Sequence, residues 1–498
     1  MKRRFVAAIA IANVLPAGYG LLGAAPQTAR TGCAQLTALR LPDIKISEAA
    51  QIPAANTGAI RAAHCRVNGV IGTEIRFSLL LPDVWNQKFT MGGGGGFVGS
   101  IQNSAQSTVN TGYATVGTDT GHQGSGTDAS WAYNNLERQV NFGYLAVHRT
   151  AEAAKAIIAS YYGTAPTRNY FQGCSRGGGQ ALMEAQRFPT DFDGIVSGAP
   201  AYDWTGIAAV MIRNMQAVFP DPQKLNALMF TPDTLKTVEA KIVEACDARD
   251  GVTDGLIDDP RQCTFDVNTL SLTDAQKSAL KVIYAPTTNR DGEIYPGQPF
   301  GGEGQAAGWP QWITGSTPPQ PGQAPSLRFA FGTGIFKYLV FNDPNWDYSK
   351  YDLSNLKKDT ALAATFLNAT NPDLSGFSSR GGKLILWHGW ADPALSPLAS
   401  IRYHDQVLAR DPNARSYFRT FLMPGVLHCG GGVGPDTADW TTTIADWVEN
   451  GKAPDRVIAT KVANGAVTRS RPLCPYPQKA VYSGSGSTDD ERSFVCRL

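Results

Sequence analysis

The sequence Gly173-Cys174-Ser175-Arg176-Gly177 has the clearest chemical potential in this chain. It is a G-x-S-x-G pattern, which exposes a serine hydroxyl on a sharp turn between a strand and a helix. Backbone N–H groups at the start of that helix offer hydrogen bonds and partial positive charge to a developing oxyanion. The pattern predicts Ser175 as a nucleophile, although short patterns of this kind also occur by chance in glycine-rich chains.

A nucleophilic serine works with a general base and with a carboxylate that orients the base. His428 stands in a loop after one predicted core strand, and Asp392 stands just beyond the end of another. Active sites of α/β sheets lie at these strand ends, and the chain order Ser, Asp, His is that of the α/β-hydrolases. These features favour Asp392 and His428 as the partners of Ser175. His388 is interpreted as structural, and His122 is the alternative base.

The glycine run Gly92–Gly96 directly follows a predicted strand and can supply a second oxyanion donor. Its backbone can approach a substrate carbonyl closely, as the glycine motif of esterases does. A phosphate-binding loop is the competing interpretation. It fails because no Gly-Lys-Ser/Thr follows the glycines, and a dinucleotide-binding motif would need an acidic partner in a clear βαβ unit.

The eight cysteines are an even number, which favours disulfides in an exported protein. Cys174 precedes the predicted nucleophile, and Cys429 follows the predicted base. If Ser175 and His428 meet, the two cysteines must lie close together. We therefore predict a disulfide that joins the two loops, with two buried free thiols as the alternative.

Predicted strands alternate with predicted helices in two stretches of the chain, which indicates an α/β domain with a largely parallel sheet. The strands lie at residues 75–81, 89–91, 113–117, 169–172, 193–197, 383–388 and 418–423, and the helices at 140–162, 177–187 and 445–449. Residues 30–75 are interpreted as an N-terminal arm that leads into the sheet.

Between residues 203 and 375 this alternation stops, and aromatic residues, proline and glycine become frequent. The stretch is too long for a connecting loop. We predict an α/β-hydrolase core with a mostly parallel sheet, built from residues 29–202 and 376–498. A large lid domain, residues 203–375, is inserted between the two parts.

The overall composition excludes several classes of protein. The 498 residues are 43% hydrophobic, so the chain can bury a large core and is not disordered. A net charge of +2 gives no overall attraction to nucleic acid. Lys2, Arg3 and Arg4 precede the mostly apolar run Phe5–Ala25, which predicts a signal peptide over residues 1–28, with a membrane anchor as the alternative. The mature protein is expected to be secreted or periplasmic and free of the membrane.

Several longer motifs resemble the tannase and feruloyl esterase family of secreted serine esterases. They are residues Gly173–Gly178, Phe188–Pro200, Leu386–Asp392, Pro424–Cys429 and Arg471–Pro477. The resemblance covers nearly the whole chain and implies an α/β-hydrolase fold with a lid inserted before the acid. It implies Ser175 as nucleophile, His428 as base and Asp392 as orienting carboxylate. The backbone N–H groups of Gly96 and Arg176 would then form the oxyanion hole.

The predicted lid contains an acidic loop between Cys246 and Cys263. Three carboxylates interleaved with glycines suit Ca²⁺, although the spacing is not that of an EF-hand and a solvated acidic loop is the alternative. The resemblance implies a structural calcium site here and no organic cofactor. The implied ligands are the side chains of Asp247, Asp250 and Asp254 and the backbone carbonyls of Val252 and Leu256.

The same resemblance, together with proximity in the chain, implies three further disulfides. They are Cys33–Cys65, Cys246–Cys263 and Cys474–Cys496. Eight cysteines allow on the order of 100 pairings, so spacing alone does not select this scheme.

The aromatic residues of the predicted lid suggest an aromatic acyl group held by stacking and apolar burial. The resemblance implies hydrolysis of hydroxycinnamic or gallic acid esters, either small molecules or parts of plant polymers. A branch of the family cleaves mono-(2-hydroxyethyl) terephthalate, which is the second candidate substrate. A non-catalytic secreted binding protein and a peptidase are the alternatives of other classes, and the oligomeric state is left open.

Three residues are candidate substrate contacts. Trp312 resembles the position that stacks on the ring in the terephthalate branch, and Arg328 lies near the position of its carboxylate-binding arginine. The alternatives are a tryptophan in the core of the lid and an exposed arginine. Trp390, inside the motif that ends at Asp392, is the third candidate.

Overall fold

The computed structural model describes residues 31–498, so the predicted signal peptide lies outside the described residues. The described chain contains the following strands: β1 (Ile44–Ile52), β2 (His64–Ile71), β3 (Ile75–Pro82), β4 (Lys88–Gly92), β5 (Ala114–Thr118), β6 (Arg168–Cys174), β7 (Gly194–Gly198), β8 (Thr287–Asn289), β9 (Gly292–Tyr295), β10 (Lys383–Gly389), β11 (Phe418–Met423), β12 (Val457–Ala463), β13 (Ala466–Leu473), β14 (Lys479–Tyr482) and β15 (Phe494–Arg497). Nine of them form one sheet in the order β1-β2-β3-β5-β4-β6-β7-β10-β11.

This sheet is antiparallel at one end and parallel over the rest. β1, β2, β3 and β5 pair in antiparallel fashion, whereas all neighbours from β5 to β11 are parallel. Every residue of β5 and β7 is buried, as expected for parallel strands covered on both faces. The predicted mostly parallel sheet is therefore confirmed. β6, β10 and β11 all end at the same edge, immediately before the loops that hold Ser175, Asp392 and His428.

Helices flank the sheet and fill the long insertion. The described chain contains α1 (Leu136–Val140), α2 (Ala146–Tyr162), α3 (Arg176–Arg187), α4 (Trp204–Val218), α5 (Pro232–Cys246), α6 (Asp274–Tyr284), α7 (Leu327–Gly334), α8 (Leu356–Asp359), α9 (Ala361–Leu367), α10 (Ser375–Ser378), α11 (Pro397–Arg410) and α12 (Trp440–Asn450). α2, α3, α11 and α12 pack against strands of the sheet. Across residues 31–498, no helix has the combined length and apolar character that a bilayer crossing demands.

Most local predictions are confirmed with small shifts at the element ends, but the N-terminal interpretation is wrong. Residues 44–52 and 64–71 are not an arm but the first two strands of the sheet. β1 is an edge strand and most of its residues are at least partly exposed, so it lacks the continuous apolar run by which buried strands are recognised. The predicted helix at 140–162 begins with a π-helical turn, Asn141–Leu145, before α2.

β7 and β10 are direct neighbours in the sheet, although a long segment of the chain connects them. This segment forms α4 to α10 and the short hairpin β8–β9, and none of the strands described in it joins the large sheet. α4 packs against α7, α6 and β9. We call residues 203–375 the insertion; its boundaries, and those of the parts at 29–202 and 376–498, stay a prediction.

All four predicted disulfides are present, and no cysteine within residues 31–498 is free. They are Cys33–Cys65, Cys174–Cys429, Cys246–Cys263 and Cys474–Cys496. The last one lies in the C-terminal region, where β12–β13 and β14–β15 form two antiparallel hairpins outside the large sheet.

Candidate active site

The turn between β6 and α3 holds Ser175 in a strained backbone conformation. Its φ of 62° and ψ of −121° are sparsely populated by residues with a side chain. The Ser175 N–H donates to the carbonyl of Gly198 at 3.0 Å. A Cβ on Gly173 would lie 2.6 Å from the backbone of Gly177, so the tight turn requires glycine. This is the strand–turn–helix geometry that the G-x-S-x-G pattern predicts.

The loops after β10 and β11 bring Asp392 and His428 into direct contact. His428 Nδ1 lies 2.7 Å from Asp392 Oδ2. The aspartate side chain is fully buried, and that of His428 is 8% exposed. Because the carboxylate accepts a hydrogen bond from Nδ1, the hydrogen-bond network assigns the proton of His428 to that nitrogen and leaves Nε2 free to accept one.

Several hydrogen bonds hold the Asp392 carboxylate. The N–H groups of Ala394 and Leu395 donate to Oδ1 at 2.7 and 3.0 Å, and His388 Nε2 lies 3.0 Å from Oδ2. Burial raises the pKa of this carboxyl, but the charge of His428 and the hydrogen bonds from His388 and His428 outweigh burial and lower the pKa overall. Asp392 is therefore ionised beside the histidine that it orients.

Two contacts of Asp392 lie outside the sequence predictions. His388, interpreted as structural, links the acid to Ser400, whose Oγ lies 2.8 Å from His388 Nδ1. Gln298, from the insertion, donates through Nε2 to the backbone carbonyl of Asp392. The contact of His388 with Asp392 was predictable from the sequence, because the two residues lie only four positions apart. Nothing in the sequence around Gln298 or Asp392 indicates that the two residues meet.

Ser175 and His428 line one cavity together with Gly96, Arg176 and Trp312. The other lining residues are apolar or aromatic: Ala201, Trp204, Ile207, Met211, Phe331, Ile335, Ala394 and Leu395. Trp312 meets the His428 ring edge to face, with the ring centroids 4.9 Å apart. The structure thus brings the predicted nucleophile, base and stacking tryptophan to one place.

Gly96 and Arg176 present backbone N–H groups at this cavity. Within the described residues neither group donates to a protein acceptor, and Arg176 is the first residue of α3, where N–H groups lack intrahelical partners. Gly96 has a φ of 55°, and a Cβ there would lie 2.3 Å from the carbonyl oxygen of Gly126. The two groups have the chemistry that stabilises an oxyanion.

The other two candidate substrate contacts lie away from this cavity. Arg328 is only 1% exposed, and its Nη1 and Nη2 donate to Asn214 and Gln298. The alternative of an exposed arginine is therefore wrong, and the predicted substrate contact of Arg328 is absent from the cavity lining. Trp390 is buried near the Arg261 guanidinium, 5.4 Å from its ring, and lines two other depressions.

Cys174 and Cys429 form the predicted link between the loops that carry Ser175 and His428. Their Cα atoms are 5.8 Å apart. Each cysteine is directly bonded to a residue of the site, Cys174 to Ser175 and Cys429 to His428. The disulfide therefore limits how far the two loops can separate.

The predicted calcium loop gathers carboxylates that repel one another. Asp250 accepts a hydrogen bond from the N–H of Val252 at 3.0 Å. Burial raises the pKa of Asp250, and the charges of Asp254 and Asp247 raise it further. Arg471 pairs with Asp254 at 2.5 Å and balances part of the negative charge. Carboxylate oxygens and an excess of negative charge are the chemistry that suits a hard divalent cation.

The fold and these contacts define a class of protein. The sheet is mostly parallel, a serine lies on a strained turn between a strand and a helix, and a His–Asp pair lies on the loops of later strands. This combination defines the protein as an α/β-hydrolase. Residues 59–497 match the family model described as tannase and feruloyl esterase, and the chain belongs to this family. It is accordingly a carboxylic ester hydrolase, which sets aside the alternative of a non-catalytic binding protein.

Individual relatives match over most of their length. The chain is 34% identical to an uncharacterized esterase of Xanthomonas campestris pv. campestris, covering 94% of this chain and 92% of the relative. It is 31% identical to the mono(2-hydroxyethyl) terephthalate hydrolase of Piscinibacter sakaiensis, covering 89% and 86%. Among solved structures, feruloyl esterase B from Aspergillus oryzae superposes with a TM-score of 0.83 at 26% identity, covering 94% of this chain and 100% of that one.

Proposed function

We propose that this chain is an exported serine esterase that releases hydroxycinnamic or gallic acids from their esters through an acyl-enzyme. The observation that carries the proposal is the contact of His428 with the buried Asp392, at 2.7 Å, beside the cavity that His428 shares with Ser175. The assignment of Ser175, His428 and Asp392 as nucleophile, base and orienting carboxylate follows from their chemistry.

The reaction begins when Ser175 Oγ attacks the ester carbonyl and His428 Nε2 takes the serine proton. The N–H groups of Gly96 and Arg176 stabilise the oxyanion of the tetrahedral intermediate. The carbon–oxygen bond to the alcohol then breaks, and His428 gives its proton to the leaving alkoxide. Water, deprotonated by His428, attacks the acyl-enzyme, and the acid leaves as Ser175 regains its proton.

The lining of the cavity supports an aromatic acyl group. Trp312 and Phe331 stack with each other, with ring centroids 6.0 Å apart, and both line the cavity with Ser175. Apolar and aromatic walls favour a planar ring by burial and stacking. The name of the Aspergillus oryzae structure, feruloyl esterase B, points to the same class of substrate.

A terephthalate monoester is the second candidate substrate. The relative from Piscinibacter sakaiensis, named for its action on such a monoester, supports it. Arg328 does not, because its guanidinium is buried against Asn214 and Gln298 rather than in the cavity lining. Binding of the free carboxylate would therefore need another cation.

We also propose that the acidic loop holds a structural calcium ion. Asp247, Asp250 and Asp254, with the carbonyls of Val252 and Leu256, would supply oxygen ligands. When bound, the ion would offset the burial of negative charge and the repulsion from Asp254 and Asp247, which together raise the pKa of Asp250. Cys246–Cys263 closes this loop.

Export to an extracellular or periplasmic compartment is part of the proposal. Four disulfides favour an oxidising compartment, because disulfides are rare in the reducing cytosol. The basic and apolar residues at the N-terminus have the composition of a signal peptide.

The direct test combines substrates with a covalent probe. Hydrolysis of methyl ferulate, methyl gallate and mono-(2-hydroxyethyl) terephthalate is measured for the parent chain and for Ser175→Ala. The variant is expected to lose activity towards all esters, with an unchanged circular dichroism spectrum. A serine-directed phosphonate should add to the parent chain and not to the variant. Activity of Ser175→Ala comparable to that of the parent would refute the assignment, and turnover of peptide amides instead of esters would favour a peptidase.

A further inference from the structure

The side chain of Arg176 is a buried cation without an acidic partner. It is 1% exposed, and within residues 31–498 no carboxylate forms an ion pair with it. Its Nη2 donates to the backbone carbonyls of Phe142 and Gly143. The guanidinium carbon lies 4.5 Å from the centre of the Phe142 ring and 5.3 Å from that of the Trp204 ring. Burial lowers its pKa to about 9, so the group is still protonated at neutral pH.

Part of this guanidinium has no hydrogen bond. In the described structure, Nε and Nη1 of Arg176 have no partner, and the indole Nε1 of Trp204 has none either. Buried donors without acceptors are unfavourable, and a buried charge more so. Arg176 and Trp204 both line the cavity that holds Ser175.

The walls of the cavity cannot satisfy these donors. Apart from Ser175 and His428, which the reaction uses, the only acceptor atom on a side chain of the described cavity lining is the thioether sulfur of Met211, a weak acceptor that bonds to neither donor. Gly96 contributes only backbone, and Trp312 adds another donor. An acceptor for Arg176 and Trp204 must therefore come from a bound molecule or from water.

We propose that Arg176 and Trp204 form a subsite that binds an acceptor oxygen on the acyl group of the substrate, either a phenolic oxygen or a carboxylate oxygen. Arg176 directly follows the nucleophile, so its side chain starts beside the acyl carbon that Ser175 attacks. The free nitrogen atoms have almost no accessible surface in this structure, so a ring oxygen of the stacked acyl group meets them after the side chains of Arg176 and Trp204 shift on binding. This subsite rests on the proposed esterase function and specifies its substrate.

The test uses two matched pairs of esters. Methyl 4-hydroxycinnamate is compared with methyl cinnamate, and monomethyl terephthalate with methyl benzoate; only the first member of each pair carries the ring oxygen. The parent chain should favour the oxygen-bearing ester of at least one pair by about tenfold or more in kcat/KM. Arg176→Met, which keeps the length of the side chain and removes its donors, should bring that ratio close to one. The pair of esters whose kcat/KM ratio falls more in Arg176→Met shows whether the subsite binds a phenolic or a carboxylate oxygen.

Controls separate recognition from folding. Arg187→Met removes an arginine at the other end of α3, outside the cavity lining, and should leave both ratios unchanged. If Arg176→Met does not give folded protein by circular dichroism, Arg176→Gln provides the same comparison. Equal loss of activity towards both members of each pair, or no preference in the parent chain, would overturn the subsite while leaving the esterase function intact. Failure of the parent chain to hydrolyse any of the four esters would instead contradict the proposed function.

Discussion

The side-chain amide of Gln298 joins the insertion to the acid of the candidate triad. Its Nε2 donates to the backbone carbonyl of Asp392, and its Oε1 accepts a hydrogen bond of 2.7 Å from Arg328 Nη2. Arg328 in turn donates to Asn214 on α4. All four groups are buried. The loop that carries Asp392 is therefore positioned from the insertion as well as from the sheet.

Replacing Gln298 with Leu should lower kcat by about tenfold with a smaller change in KM, because a small displacement of the acid misorients His428. The free energy of unfolding should also fall by about 1–3 kcal/mol, since the Asp392 carbonyl and Arg328 lose a partner. Steady-state kinetics with methyl ferulate and thermal denaturation measure the two effects. Gln216→Leu is the matched control, because Gln216 donates to the carbonyls of Tyr348 and Tyr351, away from Asp392. Equal kcat in both variants would contradict a positioning role for Gln298.

Removing the disulfide beside the site should affect both stability and catalysis. Cys174 and Cys429 are separated by 255 residues, and in the chain-entropy model closing such a loop stabilises the fold by about 5.5 kcal/mol. The double variant Cys174→Ala/Cys429→Ala should unfold at lower temperature and lose kcat, because Ser175 and His428 are no longer held together. The control, Cys33→Ala/Cys65→Ala, opens a loop of 32 residues and should cost about 4 kcal/mol while kcat is preserved. If both double variants keep full kcat, the disulfide has no role in positioning the site.

Calcium should stabilise the protein through the acidic loop. Adding calcium at about 100 times its Kd to chelator-treated protein is expected to raise the free energy of unfolding by about 2.7 kcal/mol. Asp250→Asn should abolish this response, whereas Asp233→Asn, whose side chain is 91% exposed on α5, should retain it. Melting temperatures with EGTA and with calcium give the comparison. An identical response of the parent chain and Asp250→Asn would rule out this loop as the site.

The buried carboxyl of Glu303 should make stability depend on pH. Burial raises its pKa to about 7, and it accepts hydrogen bonds from Tyr284 Oη at 2.9 Å and from the Gly301 N–H at 2.8 Å. The folded state therefore binds the proton of the Glu303 carboxyl more tightly than the unfolded state does. Glu303 adds to the free energy of unfolding at acidic pH, and this addition is lost as pH rises towards 7.

Comparison of the parent chain with Glu303→Gln isolates this effect. As pH rises from 5 to 7, the unfolding free energy of the variant should increase relative to the parent, by on the order of 3 kcal/mol at most, and level off above pH 7. Chemical denaturation at four pH values is the measurement. Glu137→Gln, at an exposed glutamate of α1, should show no such trend. A difference that does not vary with pH would mean that Glu303 is not protonated in the folded state.

Those parts of the site that depend on neighbours in the chain could be predicted from the sequence. Glycines at 173 and 177 allow the tight turn that exposes Ser175, and buried strands are readable as apolar runs. Asp392 and His428 each follow such a strand closely, so their placement at the same sheet edge follows from parallel pairing. The exposed edge strand β1 escaped prediction because its residues carry no continuous apolar signal.

The sequence by itself determined which reactive side chains are available: a serine on a sharp turn, a candidate acid and base that follow it in the α/β-hydrolase order, and cysteines beside two of these three residues. Only the tertiary structure decided which of the remaining polar side chains lie beside these residues. Arg176 and Arg328 are both buried arginines, and both are candidate site residues by sequence. The packing of α4 against α7 directs Arg328 to Gln298 and Asn214, while Trp204 on α4 covers Arg176 beside the cavity. The physical reason is that the partner of a buried polar side chain depends on which faces of distant segments pack together. The type of a single residue does not specify that packing.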